Sequence, residues 1–382
     1  MLHRRFAAVP RVLAALLCAG AAAGAAAGAA AAPVHVVLSS DAAHFDGLAA
    51  ALSSVRASAS GAVAFVVVVP RRDAARVRLL AACAAGGGVR VVAAEDTAAG
   101  RLPQIGYAQY GDGAAAKEAA YGNLSSALNY VRFYLADILP AGAAHALYLD
   151  VDVVVRCDVV DLLQRGAPAL FARHPAAVIA AVEREAPARA DGRRLFSRPP
   201  LSKRSYNAGV FVVDVRRWRA FRARDVLEGL VADAAAALRE NRTALWRRPS
   251  SQAPMLVAFG ETFAPLDSKW NRLFHHRTKP PDDVKRLLEG KPKAGKPAAG
   301  CIWHFTGPHK PWAPETNASA PQRWTTALWL PAARPCCVDP RGKGCSAAQK
   351  YPAPRSLSSD RILTTEGTPE TAAPRPQPQR RR

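Results

Sequence analysis

The chain has 382 residues, half of them hydrophobic, enough to bury a sizeable core as one large domain or two smaller ones. Lysine and arginine total 52 against 30 acidic residues, a net charge of +22 that suits an anionic partner such as a nucleotide, an acidic polysaccharide or a membrane surface. Zinc-finger spacing, an RNP pattern and a basic helix interleaved with aromatics are all missing from the sequence, so nucleic acid is set aside as a partner and most of the charge is assigned to solvated surface and tails.

The first segment, "MLHRRFAAVPRVLAALLCAGAAAGAAAGAAAAP", places Arg4, Arg5 and Arg11 before an Ala/Leu/Gly stretch that ends in small residues ahead of Pro33. That is the pattern of a secretory signal, with a membrane signal-anchor as the alternative because 12–32 is long enough to span a bilayer. Residues 1–32 are therefore expected to be a signal peptide or signal-anchor that sends the chain into the secretory pathway. Six cysteines follow Cys18, at 83, 157, 301, 336, 337 and 345, and an oxidising compartment permits disulfides whose pairing the sequence leaves open. Sequons at Asn123, Asn241 and Asn317 agree with a lumenal location.

"VHVVLSSDAAHF" (34–45) reads as a β-branched strand and a polar turn, and "DGLAAALSSV" after it is helical in composition. "AVAFVVVVP" (62–70) is a second strand stopped by Pro70, and "VRVVAAE" (89–95) is a third behind Gly86-Gly87-Gly88. Continuous apolar strands alternating with helices predict a parallel sheet covered on both faces. Leu124, Leu128, Val131, Leu135 and Ile138 recur at helical spacing, which predicts one helix over 123–139 stopped by Pro140 and Gly142. A strand is expected over 146–155, "ALYLDVDVVV", with further strands at 176–183 and 207–215 and a helix at 224–240. The Lys/Pro/Gly-rich stretch 279–300 reads as a loop. A domain over 33–335 is expected to end in a Cys-containing, basic, Pro-rich disordered tail, 336–382.

Asp150 and Asp152 stand out because burying carboxylates costs several kcal/mol or more without a compensating cation. Alternate residues of a strand point the same way, so both can serve one point beyond the sheet. Two hard oxygen ligands suit Mg²⁺ or Mn²⁺ bridging to phosphates. Further on, "CIWHFTGPHKPW" (301–312) supplies His304 as a neutral nitrogen donor, Gly307 for close backbone approach and Lys310 as a mobile cation for phosphate oxygens.

With "LNYVRFYLADILP", "ALYLDVDVVV", "YNAGVFVVDVRRW", "LDSKWN" and "HFTGPHKPW" in this order, the chain resembles glycosyltransferase family 8, the retaining enzymes that include glycogenin and the plant galacturonosyltransferase-like proteins. The resemblance implies an α/β GT-A fold, a single Rossmann-like domain with a mostly parallel central sheet flanked by helices. It also implies a UDP-sugar donor, a glycan or protein hydroxyl acceptor, Mn²⁺ (or Mg²⁺) as cofactor and, with the leader, the Golgi lumen. Carried over by motif, Asp150, Asp152 and His304 resemble the metal ligands, and Gly307 and Lys310 the donor diphosphate contacts. Arg132 resembles the family's basic residue near the donor, and Asn207, Ala208 and Gly209 the segment facing the donor sugar. Ser39, Ser40 and Asp41 are candidates for the nucleoside. Gln252 and Lys310 are the catalytic candidates, Lys310 by neutralising the charge of the leaving group.

There is one departure from the pattern. Many members carry an Asp-Gln pair where this chain has Ser251-Gln252. A non-catalytic nucleotide-sugar-binding protein on the same fold is therefore one alternative. The other is a haloacid-dehalogenase phosphatase, whose nucleophile strand "LYLDVDVVV" also fits, although that motif normally opens its domain.

Overall fold

The computed structural model describes residues 32–102, 126–184, 196, 204–246, 250–275, 278–291, 300–307, 310–312, 320–333, 337–338 and 344–345. The leader call on 1–32 falls almost wholly outside the described residues, as do the sequons at 123 and 317 and most of the expected tail. Within that tail, Cys337–Val338 and Gly344–Cys345 pair antiparallel. No helix among the described residues is long and apolar enough to cross a membrane.

Strands β1 (Val34–Ser39), β2 (Val63–Val69) and β3 (Val89–Ala93) alternate with helices α1 (Phe45–Ser58) and α2 (Ala74–Ala85). The chain continues through β4 (His145–Leu149), β5 (Val153–Val155), β6 (Ile179–Arg184), β7 (Ser205–Asp214), α3 (Ala223–Arg239), α4 (Gln252–Phe259), β8 (Ala264–Leu266) and β9 (Arg272–His275). Helix α5 (Asp282–Leu288), β10 (Ile302–Thr306) and α6 (Ala320–Ala333) complete it. The main sheet has the order β3-β2-β1-β4-β7-β6-β8. Its β3-β2-β1-β4 half is parallel throughout, β7 runs antiparallel to both β4 and β6, and β8 is parallel to β6.

The apolar runs explain this layering. In β1 the alternate residues Val36 and Leu38 pack with Leu48, Leu52 and Val55 of α1 and with Val77 and Leu80 of α2. Val37 faces the other way, into a core with Val66, Tyr134, Trp218 and Leu227. A strand apolar on both faces is stable only when both are covered.

The expected single strand over 146–155 is two strands in two sheets. The chain leaves the main sheet after Leu149, bends through Asp150–Asp152, and re-enters as β5 in a second sheet of order β5-β10-β9. An uninterrupted strand would have buried both carboxylates in a ladder with apolar neighbours. The bend instead turns them to a common edge, held by Asp150 N donating to Gly209 O (2.7 Å) and Phe305 N donating to Asp152 O (2.8 Å). A disulfide between Cys157 and Cys301 ties the end of β5 to the start of β10.

Two other expectations give way. The helix over 123–139 is broken into Ala127–Tyr130, a 3₁₀ turn Val131–Phe133 and Leu135–Ile138. Tyr130 through Leu135 are all buried, so tertiary packing closes on every side of this segment and overrides its one-faced periodicity. The expected loop 279–300 contains α5, whose first turn carries Asp282 and Asp283 and whose last carries Lys285 and Arg286, both favourable to the helix dipole. Fully buried Val284 anchors it.

Candidate metal centre

The bend after β4 and the middle of β10 meet because His304 lies in register opposite Val153 of β5. Asp150, Asp152 and His304 thereby offer ligand atoms all within 4.8 Å of one another. His304 Nε2 lies 3.2 Å from Asp152 Oδ1 and 4.0 Å from Asp150 Oδ2. Asp152 and His304 are buried, while Asp150 is half-exposed at the mouth. Two carboxylates and an imidazole with an inward-facing nitrogen form a donor set that fits Mn²⁺ or Mg²⁺.

Each member has a fixed partner. Lys310 Nζ donates to Asp152 Oδ2 at 2.5 Å and reaches Phe305 O at 3.4 Å. Burial alone would push the Asp152 carboxyl up, but the Lys310 ammonium and the His304 ring hold it far below the usual carboxylate range. The carboxylate is thus ionised and ready to act as a ligand at neutral pH. Asp150 Oδ1 accepts from Arg132 Nη2 at 2.9 Å. Arg132 is itself buried, with Nη1 donating to Ala208 O at 2.6 Å, Nε to Asn129 O at 3.0 Å and its plane 4.6 Å from the centre of the Tyr148 ring. Arg132 thus belongs to the interior of the site and not to the protein surface.

The remaining sequence-predicted residues divide into two groups. Asn207, Ala208 and Gly209, on β7 beside the aspartate bend, join the cluster. Gly209 is needed there, because a β-carbon would fall on Asp150 Oδ2 and lie 2.5 Å from His304 Cε1. Gln252 Oε1 accepts from Ala208 N at 3.2 Å, which ties α4 to the same segment. Gly307 has φ of 100°, a backbone open to glycine, between His304 and Lys310.

Ser39, Ser40 and Asp41 leave the neighbouring strand β1 at the same sheet edge, but their side chains have local partners. Ser39 donates to Leu128 O (3.0 Å), and Ser40 to Asp41 O (3.1 Å). Asp41 caps the turn Ala42–His44 by accepting from Ala43 N (3.1 Å) and meets His44 Nδ1 at 2.6 Å. That hydrogen bond outweighs burial and lowers the Asp41 pKa.

Two asparagines were not singled out by sequence reasoning. Asn129 Oδ1 accepts from both Arg132 Nη2 (3.1 Å) and Ser251 Oγ (2.9 Å). Asn271 Oδ1 lies 3.0 Å from His304 Nδ1. Asn271 closes the quoted motif "LDSKWN", so its place was visible although its role was not. Ser251 is buried, and its hydroxyl is spent on Asn129.

Comparison with known proteins bears on this arrangement. The family model Glycosyl transferase family 8 matches residues 35–316. Among curated proteins, Probable galacturonosyltransferase-like 2 of Arabidopsis thaliana is 27% identical over 224 residues, covering 54% of this chain and 58% of the relative. Probable galacturonosyltransferase-like 3 of the same plant is 28% identical over 223 residues, covering 56% and 54%. The chain thus spans little more than half the length of the curated relatives it matches. Among solved structures, the galactosyltransferase LgtC in complex with donor and acceptor sugar analogs superposes with a TM-score of 0.51 at 18% identity, covering 81% of this chain and 98% of that one. That likeness gives the fold, the expected α/β GT-A arrangement.

Proposed function

The chain belongs to glycosyl transferase family 8, and we propose that it moves a hexosyl or uronosyl group from a UDP-sugar to a hydroxyl of a glycan or protein acceptor, with retention of configuration. The observation that carries this reading is the convergence of Asp150, Asp152 and His304 at the edge where the parallel strands end, flanked by Lys310 and Arg132. Ligands of open α/β sheets bind at such edges. The proposed setting is the secretory pathway, in the Golgi lumen, with a domain over 33–335 between a leader and a basic tail. The disulfide between Cys157 and Cys301 supports an oxidising compartment.

Asp150, Asp152 and His304 would hold Mn²⁺ or Mg²⁺, which supplies Lewis-acid neutralisation of charge on the departing diphosphate. The chain's own residues do the rest. Arg132 fixes Asp150, and the peptide segment of Asn207, Ala208 and Gly209 lies against the centre where the donor sugar would sit. Lys310 is a primary amine on a long flexible side chain, suited to following the leaving phosphate oxygens and stabilising them as the bond to the anomeric carbon breaks. Gln252, tied to Ala208, lines the same side. The acceptor hydroxyl then attacks from the face the diphosphate vacates.

The buried Ser251, in the place of the carboxylate common in the family, favours one second reading: a nucleotide-sugar-binding protein without turnover. The phosphatase alternative is displaced by the family match. Incubating the protein with Mn²⁺ and UDP-galacturonate, UDP-galactose, UDP-glucose or UDP-xylose, and following UDP, tests the proposal. A transferase releases UDP from at least one donor in a metal-dependent way. Donor binding with no release from any of them supports the second reading.

A further inference from the structure

The imidazole of His304 has two nitrogens, and only a ring carrying its hydrogen on Nδ1 can turn an Nε2 lone pair toward Asp150 and Asp152. Its side chain is buried, so solvent does not choose the tautomer. Asp152 Oδ1, 3.2 Å from Nε2, draws a hydrogen to that nitrogen until a cation takes its place, so whether Nδ1 carries one is decided by the group that faces it. That group is the side-chain amide of Asn271, at 3.0 Å and fully buried.

Which end of the amide faces the ring follows from a chain of hydrogen bonds that starts at a backbone group with no ambiguity. Gly209 N–H can only donate, and it donates to Asn207 Oδ1 at 2.9 Å. Asn271 Nδ2 reaches the same oxygen, 3.5 Å away. With its NH₂ turned toward that acceptor, Asn271 presents Oδ1 to His304, and an acceptor opposite Nδ1 calls for a hydrogen there. The Asn271 backbone is held in turn, because Arg184 Nη2 donates to its carbonyl oxygen. The carbonyl of Gly209 accepts from Asp150 N. One glycine therefore sets the carboxylate through its oxygen and the imidazole through its nitrogen.

We propose that Asn271 is a positioning residue that locks His304 in its Nδ1–H form, aiming Nε2 at the two aspartates, and that Gly209 and Asn207 set the direction of this relay. The inference rests on the reading of Asp150, Asp152 and His304 as a cation site. Histidine ligands are oriented in this way by a partner on the other ring nitrogen, and loss of such a partner typically weakens metal affinity about 10–100-fold.

The test uses the full chain with ¹⁵N-labelled histidine. In metal-free protein His304 Nδ1 should carry a hydrogen, whether or not Nε2 also holds one toward Asp152. Asn271→Leu, similar in volume but with no acceptor, should lose that hydrogen and weaken Mn²⁺ binding about 10–100-fold, read by electron paramagnetic resonance of the added ion. Asn271→Asp, which keeps an acceptor opposite Nδ1 but loses the donation to Asn207 Oδ1, should retain the hydrogen on Nδ1 and bind Mn²⁺ more tightly than Asn271→Leu. A merely structural role would lower the stability of both variants without moving the tautomer. The proposal is overturned by a bare Nδ1 in the wild-type protein, by unchanged tautomer and Mn²⁺ affinity in Asn271→Leu, or by loss of the Nδ1 hydrogen in Asn271→Asp. Should Asn271→Leu not fold, the wild-type signature and the Asp variant still decide. A wild-type protein that shows the Nδ1–H ring yet binds no Mn²⁺ overturns the cation-site reading, and the metal-free spectrum tells that failure apart.

Discussion

Cys157 and Cys301 are joined across β5 and β10, one just past Asp152 and the other just before His304. The bond closes a sequence separation of 144 residues between the two segments that carry the buried ligands. It lies beside the register pair of Val153 and His304, which sets the imidazole against the aspartate bend.

Reducing this bond should therefore be felt at the metal centre as well as in stability. Removing a disulfide typically costs about 2–4 kcal/mol, more for long loops. Cys157→Ser and Cys301→Ser are each expected to unfold at lower denaturant and to bind Mn²⁺ more weakly than the oxidised wild type. Wild type in excess dithiothreitol, which also reduces the disulfide at Cys83, should bind Mn²⁺ no more tightly than the variants do. Equal Mn²⁺ titrations for oxidised and reduced protein would show that the sheet holds the site without the staple.

Asp152→Asn should abolish metal-dependent transfer while leaving the fold intact. The amide replaces a charged ligand with a neutral one and leaves Lys310 without its ion pair. Lys310 sits close enough to the surface to turn outward, which limits the structural cost. UDP release in the presence and absence of chelator is the measurement. Full activity of the variant with metal chelated would refute the assignment.

Much of this site was legible in the sequence because its parts are short polar insertions in apolar runs. Asp150, Asp152 and His304 announce themselves that way, and the structure brings all three together. The strands at 34, 62 and 89 were readable for the same reason, as unbroken β-branched stretches. The periodicity of 123–139 misled because Tyr130 through Leu135 are buried on every side and the chain tightens into a 3₁₀ turn around Arg132. The break between β4 and β5 was invisible because Val151, Val153, Val154 and Val155 fit a continuous strand as well as a bent one. Helix α5 was hidden by flanking Lys, Pro and Gly. Asn271, Asn129 and the pairing of Cys157 with Cys301 depend on segments far apart in sequence, which local pattern does not connect.

Gly209→Ala should damage the centre more than the fold. The added β-carbon meets Asp150 Oδ2 and His304 Cε1, so the carboxylate and the ring must move apart. Overpacking of this kind costs about 1–3 kcal/mol in stability. Mn²⁺ binding is expected to fall below detection in a protein that still melts cooperatively. Unaltered Mn²⁺ affinity would mean that strand β7 stands farther from the ligands than described.

Asp41 should contribute to acid sensitivity. Its hydrogen bond to His44 lowers the folded-state pKa despite burial. A depressed carboxyl pKa stabilises the fold above the unfolded value of about 3.9, and that contribution is lost as pH falls through the lower folded value. Denaturant midpoints taken from about pH 6 down to about pH 3 should therefore drop less steeply for Asp41→Asn than for wild type. Parallel curves would remove Asp41 from the account.

The cation site itself is tested most directly by a crystal of the protein grown with Mn²⁺ and UDP, with data collected at a wavelength where manganese scatters anomalously. The account predicts one strong peak about 2.0–2.3 Å from Asp150, Asp152 and His304 Nε2, with Lys310 swung from Asp152 to the diphosphate. Saturating Mn²⁺ with no peak between these three side chains, or a peak ligated elsewhere, would contradict it.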